Sequence, residues 1–185
     1  MNLVMLLASA FISPSARPAL LISSSPRASP VCTSWIELRG SSTDLKVPRP
    51  FAYSIISDYP RWPEWSPWLH RVSIGQLDDG TKTSHWFLRF KAISVDWQSK
   101  NVEEVPGSFV RWESTGGLPN GGTLQVLSGK DAASSTLTIS LRYQIPLVVS
   151  TVFRPAWVEA FVSRRLTADL QRFRTIAERE HAESL

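Results

Sequence analysis

Between Ile145 and Pro155 the chain changes its hydrophobic period, and one fold must satisfy both halves. Over Thr136–Ile145, Leu137, Ile139, Leu141, Tyr143 and Ile145 alternate with Thr136, Thr138, Ser140, Arg142 and Gln144. A period of two describes an antiparallel strand with one buried and one wet face. After Pro155 there is no further Pro or Gly, and apolar residues fall at Val158, Val162, Leu166, Leu170, Phe173 and Ala177. Steps of four and three make one face of a helix, which Trp157 and Phe161 broaden at its start. Such a helix, about 26 residues and ~39 Å long, crosses a whole sheet.

Ahead of that switch the chain is punctuated by turns. Ser34–Arg39 is a strand candidate that Thr43–Val47 continues or pairs with. Pro48 and Pro50 stop it, and Pro50 suits the first turn of a helix, whose apolar face is Phe51, Ala52, Ile55 and Ile56. Strands are expected over Leu69–Leu77, Thr83–Ala92, Ser94–Val105, Phe109–Ser114 and Thr123–Leu127. Asp78-Asp79-Gly80, Pro106-Gly107 and Gly129-Lys130-Asp131 turn the chain between them. Leu118-Pro119-Asn120-Gly121-Gly122 reads as a loop, and its glycines, with Gly116-Gly117, as turn chemistry. Consecutive strands joined by short turns form an antiparallel sheet. A lone long amphipathic helix must bury its stripe on that sheet, and a curved sheet gripping a helix leaves a space between them, the natural ligand site.

The second feature is Asp58-Tyr59-Pro60-Arg61-Trp62-Pro63-Glu64-Trp65-Ser66-Pro67-Trp68, three of the chain's eight tryptophans in eleven residues. Its prolines stiffen it into an irregular short helix. Trp62 and Trp65, three apart, share a face and plug one end of the grip; Trp68 reaches toward its mouth.

The 185 residues suit one domain. Residues 1–33 read as a targeting segment, 34–181 as the domain and 182–185 as a tail. The apolar run Leu3–Leu7 precedes Ala8-Ser9-Ala10, a small-x-small cleavage pattern, and Phe11–Pro30 is rich in Ser, Pro, Ala and Arg without an acid. The Ala8-Ser9-Ala10-Phe11 step is similar to the leaders of algae with secondary plastids. The expected location is therefore the plastid, with the mitochondrion as alternative. The run is far below the roughly 18–20 residues of a spanning helix. Net charge is +4, of which Arg17 and Arg27 belong to the leader. No basic stripe suits a phosphate backbone, so no nucleic-acid partner is expected. Arg164, Arg165, Arg172 and Arg174, interleaved with Asp169, Glu178 and Glu180, read as a solvated helix face. Cys32 is the single cysteine, which excludes an intrachain disulfide and a thiolate cluster.

These residues together resemble the START-like helix-grip superfamily, also called SRPBCC, and within it the polyketide cyclase/dehydrase and coenzyme-Q-binding group. The resemblance rests on Val47-Pro48-Arg49-Pro50-Phe51, the tryptophan stretch, Trp97, Trp112-Glu113-Ser114, Gly117–Gly122, Tyr143-Gln144-Ile145-Pro146 and Leu170-Gln171-Arg172-Phe173. It covers roughly residues 34–180. It implies an α+β fold: a curved antiparallel sheet of about seven strands wrapped around a long C-terminal helix, with two short helices after the first strand. It also implies a hydrophobic cavity. Family members bind lipids, quinones, polyketides or other apolar small molecules, and some catalyse cyclisation or dehydration.

Inward parity nominates Trp86, Leu88, Phe90, Trp97, Val110, Trp112, Leu137, Ile139, Leu141 and Tyr143 for the pocket. Trp68, Trp157 and Phe161 complete it. The phenol of Tyr143 is placed to orient a carbonyl or quinone oxygen. Asp96, Glu113, Arg89 and Arg142 have outward parity. His70, His85 and His181 lack metal-ligand spacing, and no metal or cofactor is expected. No nucleophile elbow or phosphate loop is present. With no inward acid or base, proton-transfer chemistry has no agent, so binding is favoured over catalysis. Three readings follow. The first is a carrier or chaperone for a lipid, prenylquinone or related isoprenoid. The alternative is a polyketide cyclase/dehydrase-type enzyme using the same cavity, and the third is a ligand-free structural or interaction domain. Leu147-Val148-Val149 and Phe153–Trp157 form an apolar run into the helix. It is either a lid or a transient membrane contact, or it packs on the sheet edge.

Overall fold

The computed structural model describes residues 34–90, 93–145 and 155–185. The targeting segment, Cys32 and most of the apolar run before the long helix lie outside the described residues. So do the side chains of Phe90 and Trp157.

Seven antiparallel strands form one sheet in the order β1-β7-β6-β5-β4-β3-β2. The first strand, β1 (Ser34–Leu45), pairs with the last, β7 (Ser135–Ile145), in a register that sets Ile36 against Tyr143 and Leu38 against Leu141. The two halves expected around Gly40–Ser42 are one strand; the irregularity lies between Ser42 and Leu45, where Asp44 takes a φ of 54°. Asp is among the few side chains that tolerate this left-handed conformation.

The chain then crosses from one sheet edge to the other, which is why two helices follow the first strand. Helix α1 (Arg49–Ile56) starts after Pro48 and buries Ala52, Tyr53, Ile55 and Ile56. The 3₁₀ helix Tyr59–Glu64 takes its first-turn proline from Pro60 and contains Pro63. The Trp62 indole N–H donates to the Ile56 carbonyl oxygen at 2.8 Å and fastens the two helices together. From β2 (Leu69–Gln76) the chain meanders through β3 (Lys82–Phe90), β4 (Ile93–Val105), β5 (Phe109–Gly117) and β6 (Asn120–Ser128) to β7.

The expected loop at Leu118–Gly122 is a correction. Asn120, Gly121 and Gly122 belong to β6, where Gly121 pairs with Glu113 and Arg142, and Gly122 with Trp112 and Leu141. Gly116 and Gly117 likewise finish β5. Only Gly117, at φ 75°, has turn geometry. Gly122 is small for a spatial reason: a Cβ there would overlap the Trp112 ring and the Ser140 carbonyl oxygen.

Helix α2 (Pro155–Glu183) runs past the expected boundary at 181. Its stripe divides in two. Phe173 and Ala177 are fully buried in a core shared with Leu45, Val47, Ile56, Leu124, Val126 and Leu137, and Leu170, buried beside them, also borders the cavity. Burying a side chain such as Phe173 stabilises the fold by about 1.5–3 kcal/mol. Gly40 on β1 lets the helix approach: a Cβ there would meet Leu166 and Leu170 at 2.8–2.9 Å. Val162 and Leu166, earlier on the helix, are only half-buried and stand over a cavity. Among the described residues, no helix is long and apolar enough to cross a membrane.

Candidate functional site: an aromatic cavity between sheet and helix

The cavity has a volume of about 240 Å³, below the roughly 300–1,000 Å³ of ligand pockets. Six of the eight tryptophans line it: Trp62, Trp65, Trp68, Trp86, Trp97 and Trp112. Strand register explains the wall. Trp86 and Trp97 are partners across β3 and β4, and their rings stack at 5.9 Å with planes 3° apart. Trp62 stands edge-on to Trp86 at 5.1 Å, tilts against Trp65 at 6.1 Å, and Trp65 meets Phe173 of α2 at 5.3 Å. This chain of rings ties the sheet to the helix. Trp65, 2 % exposed, is its most buried tryptophan.

Of the residues nominated from parity, Trp68, Trp86, Leu88 and Trp97 line the cavity, as do Trp112, Ile139, Leu141 and Tyr143. Val110 and Leu137 are buried in the solid core and do not reach it. Phe161 is not among the lining residues; the turn beside the cavity is carried by Val162, one position on and about 100° around the helix. The Arg165 guanidinium lies 5.3 Å from the Phe161 ring. Outward parity holds for Asp96, 2.9 Å from the His85 imidazole, and for Glu113, which faces Arg111 and Arg142.

The expectation that the cavity holds no acid is corrected by Asp169. This carboxyl, 7 % exposed, points from α2 into the cavity wall. Its Oδ2 accepts from the Ser66 hydroxyl at 2.7 Å and from the Trp68 indole N–H at 2.5 Å, and its Oδ1 from Arg172 at 2.7 Å. Burial pushes its pKa above the ordinary aspartate value, and those donors only partly offset this. A signal was present in the spacing: Asp169 lies seven after Val162 and three after Leu166, on the buried face. A charge interleaved with arginines hid it.

The other polar lining groups are mostly paired within the protein. Trp86 donates to Ser84 Oγ at 2.7 Å, and Trp112 donates to Asn120 Oδ1 at 3.2 Å. Asn120 in turn donates to the Leu118 carbonyl oxygen at 2.8 Å. Tyr59, pushed up to about 12 by burial, leans on Asn101 at 3.5 Å. Tyr143 differs: its hydroxyl is buried without a hydrogen-bond partner among the described residues. Burial, with Glu159 adding to it, raises its pKa well above that of a free phenol, so the group is a donor at any physiological pH. Among the described residues no cluster of three or more His, Cys, Asp or Glu stands together.

A seven-stranded antiparallel sheet, one long helix packed against it and a cavity between them define a helix-grip fold. The chain belongs to the polyketide cyclase / dehydrase and lipid transport family, whose model matches residues 45–173. No curated protein matches it in sequence. Among solved structures it is similar to a protein of Thermus thermophilus at 14 % identity and a TM-score of 0.65, over 77 % of this chain and 97 % of that one. It is also similar to the Zhui aromatase/cyclase of a Streptomyces species at 15 % identity and a TM-score of 0.62, over 79 % and 95 %. A START superfamily protein of Mycobacterium smegmatis is similar at 13 % identity and a TM-score of 0.64, over 77 % and 97 %. At these identities the shared property is the fold.

Proposed function

We propose that the domain binds a hydrophobic small molecule between the sheet and α2, as a carrier or chaperone for a lipid, prenylquinone or related isoprenoid. The observation that carries this reading is the cavity lined by six tryptophans. A void lined by large apolar side chains leaves packing energy unrealised, which an apolar guest supplies. Its volume suits a ring-sized headgroup rather than a whole long-chain lipid. Native mass spectrometry and solvent extraction of the purified domain test it. The expected result is a co-purifying apolar molecule, and tryptophan emission that shifts when a prenylquinone is added. An empty domain whose emission no apolar probe alters would sink the reading in favour of a ligand-free structural role. Residues 1–33 support a plastid location for this carrier, tested with a fluorescent fusion of residues 1–40; cytosolic signal would count against it.

One observation favours the cyclase/dehydrase alternative: a buried carboxyl with a raised pKa faces the cavity, and such groups are suited to proton transfer. Both Asp169 oxygens are already engaged by protein donors, which weighs toward a positioning role. Turnover of an apolar polyketide that Asp169→Asn abolishes with the fold intact would favour catalysis.

A further inference from the structure

Three buried side-chain polar atoms among the described residues have no hydrogen-bond partner: Ser99 Oγ, Tyr143 Oη and His181 Nδ1. Only Tyr143 belongs to the set of residues that line the cavity. It is 9 % exposed, near the C-terminal end of β7, opposite Ile36 and Asn120. A buried unpaired hydroxyl costs stability unless something occupies it.

The surroundings define what can. Asn120, the cross-strand neighbour, already has its carbonyl oxygen and its amide engaged. Ser66, Ser84, Tyr59, Asn101 and Asp169, the other polar groups of the wall, are likewise paired within the protein, so the unmet demand is one acceptor for the Tyr143 hydroxyl. The hydroxyl proton of Tyr143 has no acceptor within the protein among the described residues, so what satisfies it is a guest atom that accepts. It must also be neutral. Asp169 lies in the same wall and Glu159 acts on Tyr143 from the helix above, so an anionic head would meet carboxylates with no cation lining the cavity among the described residues.

Resting on the binding reading above, we infer that the cavity selects a neutral, ring-sized apolar molecule with a carbonyl oxygen that accepts a hydrogen bond from the Tyr143 hydroxyl. Ketones and quinones fit this description; fatty-acid anions and phosphorylated lipids do not.

The test compares three probes on one skeleton: tetralin, 1-tetralone and 1,2,3,4-tetrahydro-1-naphthoate. Each is titrated calorimetrically into the full chain and into Tyr143→Phe, after circular dichroism has shown that both fold alike. The expected result is that tetralone binds the wild type several-fold to about tenfold tighter than tetralin, with the carboxylate weakest. Tyr143→Phe should erase the tetralone advantage and leave tetralin within about twofold. Tetralone affinity unchanged in Tyr143→Phe, or a carboxylate that binds as tightly as the ketone, overturns the selectivity while the cavity reading stands. If none of the three binds the wild type, the cavity reading falls and the selectivity falls with it.

Discussion

Trp68 and Asp169, 101 positions apart in sequence, are joined by a 2.5 Å hydrogen bond from indole to carboxylate. The same oxygen holds Ser66, and the other oxygen holds Arg172, whose guanidinium also reaches the Trp65 carbonyl oxygen at 3.4 Å. One carboxyl therefore clasps the tryptophan stretch to the long helix beside the cavity. Asp169→Ala leaves Ser66 and Trp68 without their acceptor and should destabilise the domain by about 1–3 kcal/mol. Urea melts measure the loss. Near-ultraviolet circular dichroism should report loosened tryptophans, and an unchanged spectrum would argue against the clasp.

The same group sets a pH dependence. Burial raises the folded pKa of Asp169 above its unfolded value, which is about 3.9. Between those two values the folded chain holds the proton more tightly than the unfolded one. The contribution of Asp169 is thus fully present below about pH 3.9 and is lost as pH rises through the folded value. Asp169→Asn carries no such proton. The stability of the wild type relative to Asp169→Asn should therefore decline from about pH 4 upward. A relative stability that climbs with pH would show that Ser66, Trp68 and Arg172 outweigh burial.

Trp68 and Asp169 also mark the boundary of what could be read in advance. Strand faces were legible because a period of two needs no partner to be seen: Trp86, Trp97, Ile139 and Tyr143 all line the cavity that their parity pointed to. The wrap of sheet around helix followed from the switch of period near Pro155. Asp169 was not legible, because a carboxylate among arginines ordinarily faces water, and its burial is made tolerable by Ser66 and Trp68, brought from another element, together with Arg172. Gly121 and Gly122 were misassigned for a related reason. Paired glycines signal a turn locally, but here they are strand positions, and the Trp112 ring occupies the space beside Gly122.

That ring makes Gly122 a sensitive position. Gly122→Ala places a Cβ where Trp112 and the Ser140 carbonyl oxygen already stand. Overpacking of this kind costs about 1–3 kcal/mol. It should also displace Trp112 from the cavity wall, so tryptophan emission should move together with the denaturation midpoint. A neutral Gly122→Ala would mean that the sheet gives way at little cost.

Filling the cavity should separate binding from folding. Val162 stands over the void from the half-buried part of α2, away from Phe173 and Ala177. Val162→Phe adds a ring where there is space, so the strain of overpacking a dense core does not arise. Stability is expected within about 1 kcal/mol of wild type, with binding of tetralin lost. Retained binding in a stable Val162→Phe domain would place the guest elsewhere.

Tyr143 should reveal itself even without a guest. Its hydroxyl is buried and unpartnered, so the empty protein carries a desolvation cost that an isosteric phenylalanine lacks. Ligand-stripped Tyr143→Phe is expected to be more stable than wild type by about 1 kcal/mol, the reverse of the usual effect of deleting a polar group. A guest that binds only the folded state at a hundred times its Kd adds about 2.7 kcal/mol. With saturating 1-tetralone the wild type should gain more than the variant, narrowing or inverting their order. Denaturant melts with and without the ketone provide both comparisons. A less stable empty variant would show that the hydroxyl already has a partner.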